Sequence, residues 1–471
     1  MDVLDLTRLQ FAVVTIYHYL FVPLSISLSA VAAGLHLAWL RTDSRKYLDL
    51  TKFVGKLLIV TFAVGVVTGL VQEFQFGLGW SAFAKFYGDV FGPTLAVEGM
   101  LAFFLEATFL AVWYFGWGRL PRKLHAATIV VVAVGTLLSA YIILAANSFM
   151  QNPVGYELDA TTGRAHLTSF SALMTNEVVL AAFPHTMAGA AMAGGGLLLA
   201  LGVWRLTADR GFRPLARLGA WLTLVGGALT ALTGDHLGKV MTAVQPMKMA
   251  AAEALYSTTT GAPFSVLAVG KLGHDKPFLT VEIPRLLSFL GTGSFDGTVQ
   301  GIDDLQAQYV AQYGPGSYVP MIPVAFWTFR LMMGAGIAGM ILAAYYLWAS
   351  AEKKSRLPLL PAVLQRGAGV PGWAKRILLL SPLLPAAANT FGWIFTETAR
   401  QPWLAFGISK VSDGISPGLT SAEVIASLAG FTAVYGLLAL AWFKLVVHLS
   451  TKPLSPEISD KSPVPEPAPA Y

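Results

Sequence analysis

FGPTLAVEGMLAFFLEATFLAVWYFGWG, residues 91–118, decides the fold. Between Pro93 and Trp117 the only charged residues are Glu98 and Glu106. Roughly 20 apolar residues in helical form cross the hydrocarbon core of a bilayer, so this stretch reads as a spanning helix. An ionisable side chain at that depth is costly and is by default a functional one. Eight residues turn an α-helix by about 800°, which puts Glu98 and Glu106 near one face, roughly 12 Å apart along the axis. A buried carboxylate pair of this kind can relay protons, with Glu106 the deeper member; a structural hydrogen bond is the plain alternative.

The rest of the chain has the same character. Of 471 residues, 55% are hydrophobic and 12% charged, whereas a soluble domain carries about 25% charge. Nine runs are long enough to span: about 10–40, 53–74, 93–117, 124–149, 179–204, 217–235, 321–349, 376–398 and 421–448. The expected fold is therefore an all-α integral membrane bundle of nine transmembrane helices. Residues 1–235 hold helices one to six, 236–320 a long loop, 321–449 helices seven to nine, and 450–471 a tail rich in Pro, Ser and Glu that reads as disordered.

Basic residues set the direction, because Lys and Arg stay on the cytoplasmic side. Arg41, Arg45, Lys46 and Lys52 fall in one set of loops, with Arg119, Arg122 and Lys123, then Arg205, Arg210, Arg213 and Arg217, then Lys353, Lys354, Arg356, Arg366, Lys375 and Arg376. The intervening short loops are poor in base. The N-terminus is thus expected outside, the C-terminus in the cytoplasm and the 236–320 loop outside. The net charge of +6 is accounted for by this topology and does not point to nucleic acid. The first apolar run is too long for the core of a cleaved leader and reads as a retained helix. The chain has no cysteine, which excludes thiolate metal sites, iron–sulfur clusters, covalently attached haem and disulfides.

The topology brings His18, Glu98, His185, Met332 and Glu397, from five different spans, to the outer half of the membrane. Singly, each has a bland reading: a packed histidine, a core methionine, a glutamate paired with Arg400 one turn away. Together they suggest haem ligation, since His with Met is a common axial pair for a low-spin electron-transfer haem, and one His or carboxylate can hold a five-coordinate one. Arg330 and Trp393 lie beside Met332 and Glu397. In the outer loop Lys248 and Glu253 are five apart, so they point about 140° apart on a helix and reach different partners or opposite ends of a ligand. A solvated loop helix is the simpler alternative.

These segments resemble subunit I of the cytochrome bd-type quinol oxidases. The likeness lies in TIYHYLFVPLSI (15–26), EFQFGLGW (73–80), FGPTLAVEGMLAFFLEA (91–107), ANSFMQNPVG (146–155), FPHTMAGA (183–190), QPMKMAAAEALY (245–256), AFWTFRLMMG (325–334) and GWIFTETARQPW (392–403), in order across nearly the whole chain. It implies that His185 and Met332 ligate the low-spin haem b558, with Arg330 beside it. His18 and Glu397 would ligate the two high-spin haems, His18 leaning to haem d and Glu397 to haem b595, with Trp393 next to the latter and Arg400 on haem propionates. Glu98 would lie at the oxygen-reducing haem, and Glu106 would carry cytoplasmic protons. Lys248 and Glu253, in a quinol loop of the short type, would bind and deprotonate quinol. Ala107 stands where the family usually has Ser, so a proton step there falls to water or to a group such as Ser139. Ala399 replaces a Gly and Gly79 an Asn.

The implied function is a bacterial inner-membrane terminal oxidase that oxidises menaquinol or ubiquinol outside and reduces O2 with protons from inside. It would work with a second membrane subunit and, in many members, a small single-helix one. A relative with a third haem b in place of haem d has the same ligand pattern. A haem-copper oxidase would need clustered histidines, and the eight here are scattered. A secondary transporter would show internal repeats, and none is visible.

Overall fold

The computed structural model describes residues 2–270, 272, 279–351 and 370–454. Among these, nine helical stretches are long and apolar enough to cross a membrane. The helices that position the site are α1 (Val3–Thr42), α2 (Arg45–Leu78), α3 (Gly88–Val97), α4 (Phe104–Phe115), α5 (Arg122–Gln151), α6 (Glu177–Arg205), α7 (Arg213–Val244), α8 (Pro246–Glu253), α9 (Ile302–Tyr313), α10 (Ile322–Ala349), α11 (Leu383–Thr398) and α12 (Ser421–Thr451). Lys353, Lys354, Arg356, Arg366 and residues 455–471 of the expected tail lie outside the described residues.

Several expected boundaries are corrected. The third span is not one α-helix: a π-helical turn, Glu98–Phe103, joins α3 to α4. A π turn takes roughly 4.4 residues and an α turn 3.6, so eight residues complete two turns and the two carboxylates fall on one line more closely than α-geometry implied. The sixth span runs on to Val244, so the loop begins near Gln245 and not at 236. The helix outlasts its apolar run because Asp235 and Lys239 pair one turn apart in its protruding end, and it stops where Pro246 brings no N–H. The eighth span is broken between Leu378 and Leu383, where Pro382 follows Ser381. The all-α membrane bundle stands; outside its spans, four two-stranded antiparallel pairs occur among the described residues, including Phe264–Val269 with Leu279–Ile283.

A buried apolar core runs between α1, α2, α4, α5, α6 and α7, with Leu57, Leu58, Trp113, Val132 and Leu198 at its centre. α6 and α7 cross backbone to backbone. A Cβ at Gly219 would stand 2.3 Å from the amide nitrogen of Leu199, and one at Gly202 2.5 Å from that of Ala216. Small residues at such crossings replace the hydrophobic drive that lipid removes. Gly219→Leu is therefore expected to separate the two helices, at a cost of about 3 kcal/mol or more, read as a lower melting temperature in detergent. At the other end, α8 is seated by a second cluster: Met247 and Ala250–Ala252 pack with Ile302 and Leu305 of α9, Ala325 of α10 and Phe395 of α11. This seat fixes both ionisable residues of α8.

Candidate functional site

His18 projects from α1 towards α2, where its Nδ1 lies 2.9 Å from the hydroxyl of Thr68. That hydroxyl also meets the Val64 and Gly65 carbonyls, and when it donates to them its lone pair is free to accept from the imidazole. In that arrangement Nδ1 of His18 carries the hydrogen and Nε2 the lone pair. His185 of α6 is fixed in the same tautomer: its Nδ1 lies 3.1 Å from the carbonyl of Thr230 on α7, which only accepts. Both histidines thus have Nδ1–H tied by the protein and Nε2 left as a base, the form in which imidazole ligates a metal. Pro184 precedes His185 within α6 and removes one helical N–H, loosening the ladder next to the ring.

Glycines flank these side chains. A Cβ at Gly69 would lie 3.1 Å from Cε1 of His18, one at Gly234 3.1 Å from Cε1 of His185, and one at Gly392 2.9 Å from Sδ of Met332. Each neighbouring helix presents bare backbone to a candidate ligand. Trp393, next to Gly392, stacks on Tyr19 at 5.4 Å between ring centroids, linking α11 to the turn of α1 that bears His18.

Glu397 of α11 accepts from Asn147 Nδ2 at 2.9 Å on Oε1 and from Arg400 on Oε2. Arg400 also donates to the Leu404 carbonyl, and its Nε is buried without a partner. The i,i+3 pair read as the bland alternative is present, yet it leaves one guanidinium donor for a further anion. Glu98 accepts from Ser139 of α5 at 2.7 Å. Glu106 packs against Gly135 of the same helix, where a Cβ would come within 2.8 Å of its Cγ, and its Oε1 is buried without a partner. Ser139 thus meets Glu98 and not Glu106.

The solvated reading of the loop helix is overturned: Lys248 is 3% exposed and Glu253 6%. Their divergence on α8 sends them to different partners. Lys248 Nζ donates to Gln151 Oε1 on α5 at 2.6 Å. Glu253 Oε2 receives Arg330 of α10 at 2.8 Å and the Ser265 amide at 3.2 Å, and its Oε1 is buried without a partner. Arg330, expected beside the low-spin haem, also donates to the carbonyls of Ser265 and Ala252, so it clamps the loop two residues before Met332. Burial pushes the Lys248 amine down to about 7, against the pull of the Glu397 carboxylate. Burial pushes the Glu253 carboxyl up to about 7, against the opposing Arg330 charge. Burial thus moves both groups of α8 towards their neutral forms.

With this geometry in hand, the family description Cytochrome bd terminal oxidase subunit I matches residues 6–453. The chain belongs to the cytochrome bd terminal oxidase subunit I family. It is 37% identical to cytochrome bd ubiquinol oxidase subunit 1 of Bacillus subtilis (strain 168), over 97% of this chain and 99% of that one. It is 32% identical to cytochrome bd-II ubiquinol oxidase subunit 1 of Escherichia coli (strain K12), over 93% and 95%. The solved structure of bd oxidase from Geobacillus thermodenitrificans superposes with a TM-score of 0.84 at 26% identity, covering 95% of this chain and 98% of that one. As a cytochrome bd subunit I, the protein is a haem-bearing oxidoreductase that crosses the membrane many times.

Sequence reasoning about this cytochrome bd subunit passed over Thr68, Asn147, Gln151 and Ser265. Asn147 and Gln151 left a usable signal: two amides one turn apart at the end of an apolar span, where polar groups need partners. Thr68 and the flanking glycines left none, because only the helix packing sets them against the histidines.

Proposed function

We propose that this chain oxidises quinol at the loop end of the bundle and reduces O2 to water within it, with His185 and Met332 on haem b558, Glu397 on haem b595 and His18 on haem d or on a haem b in its place. The observation that carries the ligand assignment is that Nδ1 of both His18 and His185 is engaged by a neighbouring helix, which leaves Nε2 of each ring for iron. The donor set, two imidazoles, a thioether and a carboxylate with no thiolate, is one that haem iron accepts. The haems supply the one-electron and oxygen chemistry; the protein supplies ligation, orientation and proton access.

Glu253 takes the quinol proton on its partnerless Oε1, and Lys248 holds the headgroup. Arg330 and the Ser265 amide keep the other carboxylate oxygen fixed, so the base is already oriented. Glu106 takes protons from the cytoplasmic side and Glu98, with Ser139, delivers them near the His18 and Glu397 level. Because quinol releases its protons outside and water formation draws them from inside, charge is separated without a pump, worth about 2.3 kcal/mol per charge per 100 mV. The setting is a bacterial cytoplasmic membrane, with a second membrane subunit as partner and menaquinol or ubiquinol as donor.

The pH dependence follows from the two α8 groups. The base form of Glu253 grows as pH rises through about 7, and the cationic form of Lys248 is lost as pH rises through about 7. Only their overlap is competent, so kcat/KM for quinol should peak near neutrality and fall on both sides. Glu253→Gln should abolish oxidation at every pH, and Lys248→Arg should carry the alkaline limb upward. A flat wild-type profile from pH 5 to 9 would refute the assignment. Stopped oxygen-electrode assays with a soluble quinol analogue give the profile directly.

A further inference from the structure

Lys248 and Glu397 come from α8 and α11 and do not touch, yet one unbroken line of hydrogen bonds connects them. Lys248 Nζ donates to Gln151 Oε1 at 2.6 Å, Gln151 Nε2 donates to Asn147 Oδ1 at 2.8 Å, and Asn147 Nδ2 donates to Glu397 Oε1 at 2.9 Å. The sense of every bond is forced. It is set from the Glu397 end: a carboxylate only accepts, so Asn147 must turn its nitrogen to Glu397 and its oxygen to Gln151, and Gln151 then turns its oxygen to Lys248. The two amide dipoles then add head to tail between a cation and an anion, and each bond polarises the next. Lys248, Gln151 and Asn147 are all at most 8% exposed, so water does not compete for these groups. Arg400 occupies the other oxygen of Glu397 and holds the carboxylate in the orientation that Asn147 meets.

We infer that Asn147 and Gln151 are positioning residues that couple the quinol loop to the Glu397 haem. They transmit a change at Glu397 to Lys248, and a change at Lys248 to Glu397, without touching either quinol or iron. The inference rests on the reading of Glu397 as a haem ligand. Coupling between two binding sites is reciprocal, so a break anywhere in the line must be felt at both ends. No side-chain protonation change is needed; the amides act by holding direction.

The test uses the whole oxidase, purified with its haems, and three variants. Asn147→Leu removes the contact to Glu397 and leaves the Lys248–Gln151 hydrogen bond in place. Gln151→Met keeps length and volume but breaks the line next to Lys248, away from Glu397. The double variant breaks all three links. Asn147→Leu should raise KM for a soluble quinol analogue about fivefold, equivalent to about 1 kcal/mol. Gln151→Met should shift the absorption band and midpoint potential of the high-spin haem at Glu397. The double variant should raise KM no more than the worse single variant, because one line is broken only once. Gln151→Glu accepts from Lys248 but cannot donate to Asn147, and should give the same spectral shift if Gln151→Met does not accumulate. An unchanged KM in Asn147→Leu, an unmoved high-spin band in the Gln151 variants, or additive effects on KM would each overturn the coupling. Glu397→Ala separates the two layers. Persistence of every haem band there means that the ligand reading has failed. Loss of one band there, with Gln151→Met spectrally silent, means that the coupling alone has failed.

Discussion

His185→Ala and Met332→Leu are each expected to eliminate the low-spin haem signal and bring quinol-driven oxygen consumption to background. Met332→Leu is the more informative, because Leu and Met are close in volume and such swaps usually cost less than about 1.5 kcal/mol. The fold should therefore persist, and only the thioether donor is lost. A haem left with His185 alone becomes five-coordinate, so its band should convert from low-spin to high-spin instead of vanishing. His185→Ala removes the fixed Nε2 base altogether and should empty the site. The Thr230 carbonyl that receives Nδ1–H then loses one of its donors but keeps that of Thr233, so the added stability cost is small. Low-temperature absorption and magnetic circular dichroism of the two purified variants read both outcomes. A normal low-spin spectrum in either would remove that residue from the ligand set.

Glu106→Gln should be nearly as severe and spectrally silent. The substitution is isosteric, it keeps the contact with Gly135, and its amide cannot pick up and release a proton. Loss of a positioned proton carrier costs typically 10²–10⁴ in rate, so oxygen reduction should fall by about a hundredfold or more while all haem bands remain. Ser139 cannot substitute, because its hydroxyl is engaged with Glu98, and Ala107 offers nothing. Near-normal turnover in Glu106→Gln would show that cytoplasmic protons reach the site by another route. Ser139→Ala, which removes only the partner of Glu98, should be milder in the same assay.

Much of this molecule is legible in its sequence because lipid imposes a simple rule: a span must be apolar and satisfy its own backbone. Nine runs were readable for that reason, as were the ionisable residues that break the rule at His18, Glu98, Glu106, His185 and Glu397. The boundaries were less readable. Hydropathy ends where the bilayer ends, whereas α7 ends only at Val244, several residues further out. The π turn at Glu98–Phe103 has no periodic signature, since inserting one residue in an apolar run changes no pattern of polarity. The burial of Lys248 and Glu253 was hidden as well. A short helix rich in Ala, with one Lys and one Glu, looks solvated until the α9, α10 and α11 surfaces that cover it are in place. The pairing of Lys248 with Gln151, residues 97 apart in sequence, is a purely tertiary fact.

The central claim is that imidazole, thioether and carboxylate side chains from separate helices hold haem iron at one end of the bundle. The most direct test is a reduced-minus-oxidised spectrum of the purified protein, with haem counted per chain by extraction. The account predicts one low-spin and two high-spin haems, all non-covalently bound. A protein that purifies folded and without haem, or with no low-spin component, would contradict it.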